Sequence, residues 1–220
     1  MSIPVLQNPV AALLDRLASI ERRWIIGLAG VPGSGKTTWA RKLAAQFEAS
    51  AGPGKLMVLG MDGFHLPKAA LARMPDPALA FARRGAPWTF DAQQLAARIA
   101  LLRSAAGQSA VPWPDFQHQV GDPVENAHVV PADVPLILIE GIYLLYRDEG
   151  WDRVSGLLDE RWYIDTPSDV SLERLIRRHM AAWGMTFQQA RSRAMENDCV
   201  NAELIIASRR HADYVIQEGG

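Results

Sequence analysis

One cysteine, Cys199, stands in 220 residues, so an internal disulfide framework is excluded and a reducing compartment is expected. Cysteine and histidine nowhere pair at metal-ligand spacing, and His118, His179 and His211 are too scattered to suggest a structural zinc. No apolar run approaches the length of a membrane-spanning helix. The N-terminus, M-S-I-P-V-L-Q-N-P-V, has no basic stretch followed by an apolar core, so no signal peptide is expected. Charge of neither sign dominates: 23 Lys and Arg balance 24 Asp and Glu for a formal net charge of −1, which gives no nucleic-acid footprint. No N-K-x-D tetrapeptide is present to read guanine. Internal repeats and low-complexity tracts are also absent. What remains is an ordinary globular composition, 49% hydrophobic and 21% charged. That suits a single α/β domain over residues 1–220, expected to be cytoplasmic, with neither membrane nor nucleic acid as partner.

Against this background one stretch stands out, Gly30-Val31-Pro32-Gly33-Ser34-Gly35-Lys36-Thr37, a complete GxxxxGK[ST] run followed by Thr38. The apolar segment Trp24 to Ala29 precedes it and a helix-like segment, Thr38 to Glu48, follows. A strand therefore delivers the chain to a glycine-rich turn whose N–H groups can surround a phosphate, and a helix N-terminus faces the same anion. Residues 30–38 are read as the nucleotide-binding loop. In this pattern Lys36 reaches the β- and γ-phosphates and the Thr37 hydroxyl is a Mg²⁺ ligand.

Along the chain, Asn8-Pro9 opens a first helix, with Asn8 as cap and Pro9 in the first turn. Short apolar runs at Lys55 to Met61, Val134 to Glu140, Arg161 to Asp165 and Asp213 to Ile216 read as strands. Helices are expected from Asp91 to Arg103, Pro167 to Ala182, Thr186 to Asn197 and Ala202 to Arg210. Asp91 should cap the first of these, with Gln94 reaching back. Strands alternating with helices imply a parallel sheet covered on both faces, and the helices near 170–200 are a candidate lid. Leu66 to Phe90 carries four prolines and no regular pattern, the length and composition of a substrate loop. Val111 to Pro123 is rich in proline and aromatics.

In an open parallel sheet, ligands bind beyond the carboxyl ends of the strands, and three strands here end in acids: Asp62, Glu140 and Asp165. Glu140, after L-I-L-I, suits a Mg²⁺ role, because hard cations take oxygen ligands. Asp62 reads equally as a turn residue before Gly63 and as a general base for an acceptor hydroxyl. Arg174, Arg177 and Arg178 share one helix face, either as anion ligands or as a solvated face with a Glu173–Arg177 pair. His65, Arg83 and Arg84 are candidate contacts for an anionic or polyhydroxylated acceptor. Trp88, Phe90 and Trp113 are expected to pack the long loops, and Asn197 and Asn201 to cap helices.

Together, G-L-A-G-V-P-G-S-G-K-T-T, M-D-G-F-H, R-R-G-A-P-W-T-F-D, V-P-W-P-D-F, L-I-L-I-E-G-I-Y-L-L and A-D-Y-V-I resemble the phosphoribulokinase/uridine kinase family of P-loop kinases, closest to its nucleoside/nucleotide kinase-like, fructose-kinase-like subgroup. The resemblance implies a P-loop NTPase three-layer fold with a small helical lid, using ATP and Mg²⁺. It makes Asp62 the catalytic acid after the second strand, Glu140 the Walker-B-like acid, and Arg177 or Arg178 part of a lid over ATP. It places Phe64, His65, Arg84 and Phe90 around the acceptor, with a further contact from Gln117-His118, where Gln117 replaces the acid that relatives often carry. Family members commonly pair as dimers or tetramers. The expected activity is transfer of a γ-phosphoryl group to a hydroxyl of a small metabolite, a sugar such as fructose or a nucleoside. A pantothenate-like alcohol is an alternative acceptor, and a P-loop NTPase switch is the alternative class.

Overall fold

A computed structural model of the chain describes residues 2–117 and 119–217. Its centre is a five-stranded, wholly parallel sheet in the order β2-β5-β1-β6-β7. The strands are β1 (Trp24–Ala29), β2 (Leu56–Gly60), β5 (Leu136–Gly141), β6 (Glu160–Asp165) and β7 (Tyr214–Gln217). β1 and β5 are apolar almost throughout because both sheet faces are covered. Side chains alternate between the two faces along each strand. Ile25, Ile137 and Ile139 therefore enter a core with Leu95, Ile99, Trp113 and Trp151, while Ile26, Leu28, Leu136 and Leu138 enter another with Leu13, Leu43 and Phe47. The first face is covered by α5 (Ala92–Ser104) and α6 (Trp151–Leu157), and the second by α1 (Pro9–Ser19) and α2 (Lys36–Ala51). This is the expected three-layer α/β arrangement. No helix among the described residues is long and apolar enough to cross a membrane.

The helix boundaries follow their caps. Asn8 accepts a hydrogen bond from the Ala11 N–H, with Pro9 at the start of α1. Asp91 accepts from the Gln94 N–H at the start of α5. The reciprocal half of that cap is pre-empted, because the Asp91 N–H donates to the Phe64 carbonyl at 2.8 Å. That bond ties the loop before α5 to the turn after β2.

Two stretches have more order than their sequence suggests. Residues 66–90 contain the short helices α3 (Lys68–Leu71) and α4 (Pro77–Ala82) and a 3₁₀ turn at Pro87–Thr89. The proline- and aromatic-rich stretch supplies β3 (Val111–Gln117), which pairs antiparallel with β4 (Asp122–Val130) as a hairpin. β3 holds Pro112 and Pro114, which donate no ladder bond; a two-stranded ribbon with an irregular register between Trp113 and Asp115 accommodates them. After β6 come α7 (Ser168–Trp183), α8 (Phe187–Arg193), a π-helical turn at Ala194–Asp198 and α9 (Cys199–Ser208).

Candidate active site

The loop from Gly30 to Gly35 leaves the carboxyl end of β1 and runs straight into α2. Val31 and Pro32 are buried beneath it. Gly33 has φ +79°, and a Cβ there would lie 2.3 Å from the Ser171 carbonyl oxygen of α7, so only glycine lets loop and helix meet this closely. Ser34 is fully buried, its N–H donating to Val31 O (3.0 Å) and its carbonyl accepting from the Thr166 hydroxyl (3.1 Å). No side chain caps α2, which leaves the first N–H groups of the helix to face an anion. Around them opens a cleft of about 250 Å³, lined by Gly33, Gly35, Lys36, Thr37, Thr38, Arg174 and Arg178.

Two of the three helix arginines thus reach the loop. Arg177 does not line this cleft; it pairs instead with Glu173 at 2.5 Å on the exposed side of α7. The expected trio reduces to the i,i+4 pair Arg174 and Arg178, because position 177 is turned away from the line joining them.

Register places the acids. Glu140 is opposite Leu28 of β1 and Gly60 of β2, so it stands at the rim between the phosphate loop and the turn that follows β2. The Thr37 hydroxyl donates to Glu140 Oε1 at 2.8 Å. Burial pushes the Glu140 carboxyl above its ordinary value, Lys36 opposes this, and the charge of Asp62 adds to it. Asp62 opens a 3₁₀ turn, Asp62–Phe64, and the preceding Met61 N–H donates to Glu140 O (2.9 Å). The two carboxylates are therefore electrostatic neighbours. Asp165, the third acid, is engaged elsewhere in an ion pair with Arg209 at 2.7 Å.

A magnesium ion fits this donor set. Thr37 and Glu140 offer hard oxygens side by side, and a cation would relieve the burial of the Glu140 charge. Among the described residues no three His, Cys, Asp or Glu side chains gather as a metal cage. Phosphate oxygens and water would complete the shell, as is usual for Mg²⁺ at nucleotide sites.

Beyond Asp62 the wall is aromatic. The His65 ring packs at a tilt against Phe90 (3.9 Å) and Phe116 (4.7 Å), with its Nδ1 2.8 Å from the Asp62 carbonyl oxygen. Phe64 is buried edge-on against Trp113 and supports this wall from behind. Trp113 in turn donates to Gly60 O (2.8 Å), and a Cβ at Gly63 would strike the Pro114 carbonyl at 2.5 Å, so the hairpin sits directly on the Asp62 turn. Phe116 escaped sequence reasoning because a proline-rich segment gave no strand periodicity. Trp113 and Phe90 are packed as expected, whereas Trp88 is 39% exposed.

The Arg84 side chain is turned inward. Its guanidinium donates to Leu66 O (3.1 Å) and Gly121 O, pairs with Asp122 (3.1 Å) and lies 5.3 Å from the Phe116 ring centroid. It joins the 66–90 loop to the hairpin and so shapes the wall. His118 lies outside the described residues. Asn197 and Asn201 are buried in one helical run and do not cap it. Asn197 Nδ2 donates to Arg84 O (3.0 Å), and Asn201 Oδ1 accepts from Arg83 (3.2 Å). Their partners lie over a hundred residues away in sequence, out of reach of any local signal.

Comparison with known proteins places these features. The profile of the Phosphoribulokinase / Uridine kinase family matches residues 25–220. The ATP-dependent kinase-like protein notR' of Aspergillus versicolor is 36% identical over 153 residues, covering 68% of this chain and 88% of its own. A candidate uridine kinase of Schizosaccharomyces pombe is 32% identical over 200 residues, covering 90% and 84%. The crystal structure of a candidate fructose transport system kinase from Silicibacter sp. TM1040 superposes with a TM-score of 0.82 at 30% identity, over 96% of this chain and 99% of that one. With the phosphate loop, the paired Thr37 and Glu140 and the adjoining Asp62 at one rim of such a sheet, this chain belongs to the phosphoribulokinase/uridine kinase family of P-loop kinases.

Proposed function

We propose that the chain is an ATP-dependent kinase that transfers the γ-phosphoryl group to a hydroxyl of a small metabolite. The observation that carries this reading is the meeting of Thr37 and Glu140 at 2.8 Å beside Asp62, between the phosphate cleft and the aromatic wall. A donor site and an acceptor site then share one carboxylate rim.

In this mechanism Lys36 and the N–H groups of residues 33–38 hold the polyphosphate, with Arg174 and Arg178 facing it from α7. Thr37 and Glu140 would hold Mg²⁺, which would neutralise charge on the phosphates. Asp62 orients the acceptor hydroxyl and takes its proton as the oxygen bonds to the γ-phosphorus. The bond from that phosphorus to the bridging oxygen breaks and ADP leaves. Catalysis is then mostly positioning and electrostatic stabilisation, the usual division of labour in phosphoryl transfer.

The acceptor side favours a compact ring. The partly exposed rings of His65 and Phe116, backed by buried Phe90, offer an apolar surface suited to a sugar or a base, and the fructose and uridine named for the relatives above support a sugar such as fructose or a nucleoside. The test is ATP consumption against hexoses, pentose phosphates, nucleosides and pantothenate. Stimulation by one of them is expected. Steady hydrolysis indifferent to every acceptor would replace the kinase with a switch-type NTPase.

A further inference from the structure

The π-helical turn at Ala194–Asp198 is bonded both to α7 and to the 66–90 loop. Such turns are rare and concentrate at functional places. On one side, Asp198 Oδ2 is 2.7 Å from Nε2 of His179, a residue buried to 3% exposure and next in sequence to Arg178 of the phosphate cleft. On the other side, Asn197 Nδ2 donates to the Arg84 carbonyl (3.0 Å). Arg83 braces the same junction, donating to Glu196 O (3.3 Å) and Asn201 Oδ1 (3.2 Å). Asn197 and Asn201 are four positions apart and so face the loop together.

What Asn197 holds is the keystone of the aromatic wall. The Arg84 guanidinium ties the 66–90 loop to the hairpin and lies over Phe116, which packs at a tilt against His65, whose Nδ1 meets the carbonyl of Asp62. A shift of Arg84 would therefore be felt at the acceptor wall.

The Asn197 amide is only half used: its Nδ2 satisfies the Arg84 carbonyl, and its Oδ1 is left over. Asn197 is 6% exposed, and its Oδ1 has no partner among the described residues. Burying an unpaired carbonyl oxygen is costly, and a small apolar residue would remove that cost only by giving up the hydrogen bond to Arg84. A local rule broken without gain in packing is expected where function requires the group.

We infer that Asn197 is a positioning residue for the acceptor: it fixes Arg84 and hence the aromatic wall, and the Asp198–His179 pair beside it fixes the turn to α7. The inference rests on the kinase reading above and deepens its acceptor site. The side-chain hydrogen bond of Asn197 runs to the 66–90 loop, so its effect is expected on the acceptor half.

The test is steady-state kinetics of full-length Asn197→Ala and Arg83→Met, with the acceptor that stimulates the wild type. Asn197→Ala should raise the acceptor KM about tenfold or more, the scale of a misplaced substrate contact. Its ATP KM should stay within about twofold, since only acceptor binding is lost. Arg83→Met keeps the aliphatic stem, removes the second brace at the surface and should shift the acceptor KM in the same direction by less. It carries the test alone if Asn197→Ala fails to fold. Unmoved acceptor KM values with a lower kcat, or ATP and acceptor KM values rising together, would mark a merely structural residue and overturn the inference. A wild type that phosphorylates no acceptor would remove the kinase reading itself, an outcome distinct from an active wild type whose variants keep their acceptor KM.

Discussion

Replacing Gly33 with alanine separates two costs that the phosphate loop combines. The backbone there has φ +79°, and the added Cβ would sit 2.3 Å from the Ser171 carbonyl oxygen and 3.0 Å from Leu175 Cγ. The left-handed conformation costs an L-residue about 1–2 kcal/mol. Forcing a methyl into a closed contact adds about 1–3 kcal/mol. Gly54 supplies the control, because it has φ +73° with open space around its Cβ direction. Gly54→Ala should therefore show the conformational cost alone. Taking about 3 kcal/mol for Gly33→Ala, a chain of this size should lose about 6–12 °C in Tm. Thermal unfolding by circular dichroism reads both variants, and titration with a non-hydrolysable ATP analogue reads the site. Gly33→Ala should also weaken the analogue, since relieving the clash moves α7, and with it Arg174 and Arg178, off the cleft; Gly54→Ala should leave it unchanged. Equal Tm losses for the two variants would refute the claim that loop and helix are in enforced contact.

Two further outcomes follow from the site. The Glu140 carboxyl titrates above its ordinary value of 4.5 in the folded chain, so the fold binds that proton more tightly than the unfolded state does. Its contribution to stability is therefore fully present below about 4.5 and is lost as pH rises through the raised folded value. Glu140→Gln should abolish this slope in a plot of Tm against pH and raise Tm at neutral pH, while weakening ATP binding in Mg²⁺; a pH profile identical to wild type would count against it. On α7, Arg178→Met should lower kcat by roughly 10²-fold, the scale for one donor to developing charge. Arg177→Met, which removes only an exposed ion pair, should leave kcat near wild type; equal losses would mean that both arginines reach the phosphates.

Much of the donor half was legible in sequence because its signals are local. The run from Gly30 to Thr38 follows β1 directly, Glu140 ends the most apolar strand, and the parallel order of β2, β5 and β1 brings Asp62 beside it. The acceptor half was legible in outline, as a proline-rich loop with His65, Arg83 and Arg84, and its further residues Phe64 and Phe90 came only through family resemblance. Pro112 and Pro114 hide a strand because a strand prefers residues that can donate to its ladder, and only pairing with β4 reveals it. Arg84 reads as a free cation until Asp122, Leu66 and Gly121 are brought around it. Asn197 and Asn201 look like caps because the π turn between α8 and α9 has no sequence signature. In each case the deciding partner is distant in the chain.

In the proposed reaction the γ-phosphoryl group ends on a hydroxyl with Asp62 as base. This is tested most directly by following γ-labelled ATP with the stimulating acceptor, in wild type and in Asp62→Asn. Wild type should place the label on the acceptor. Asp62→Asn should bind ATP as wild type does yet transfer the label at least about 10²-fold more slowly. Label released as inorganic phosphate by the wild type, or transfer that survives in Asp62→Asn, would contradict it.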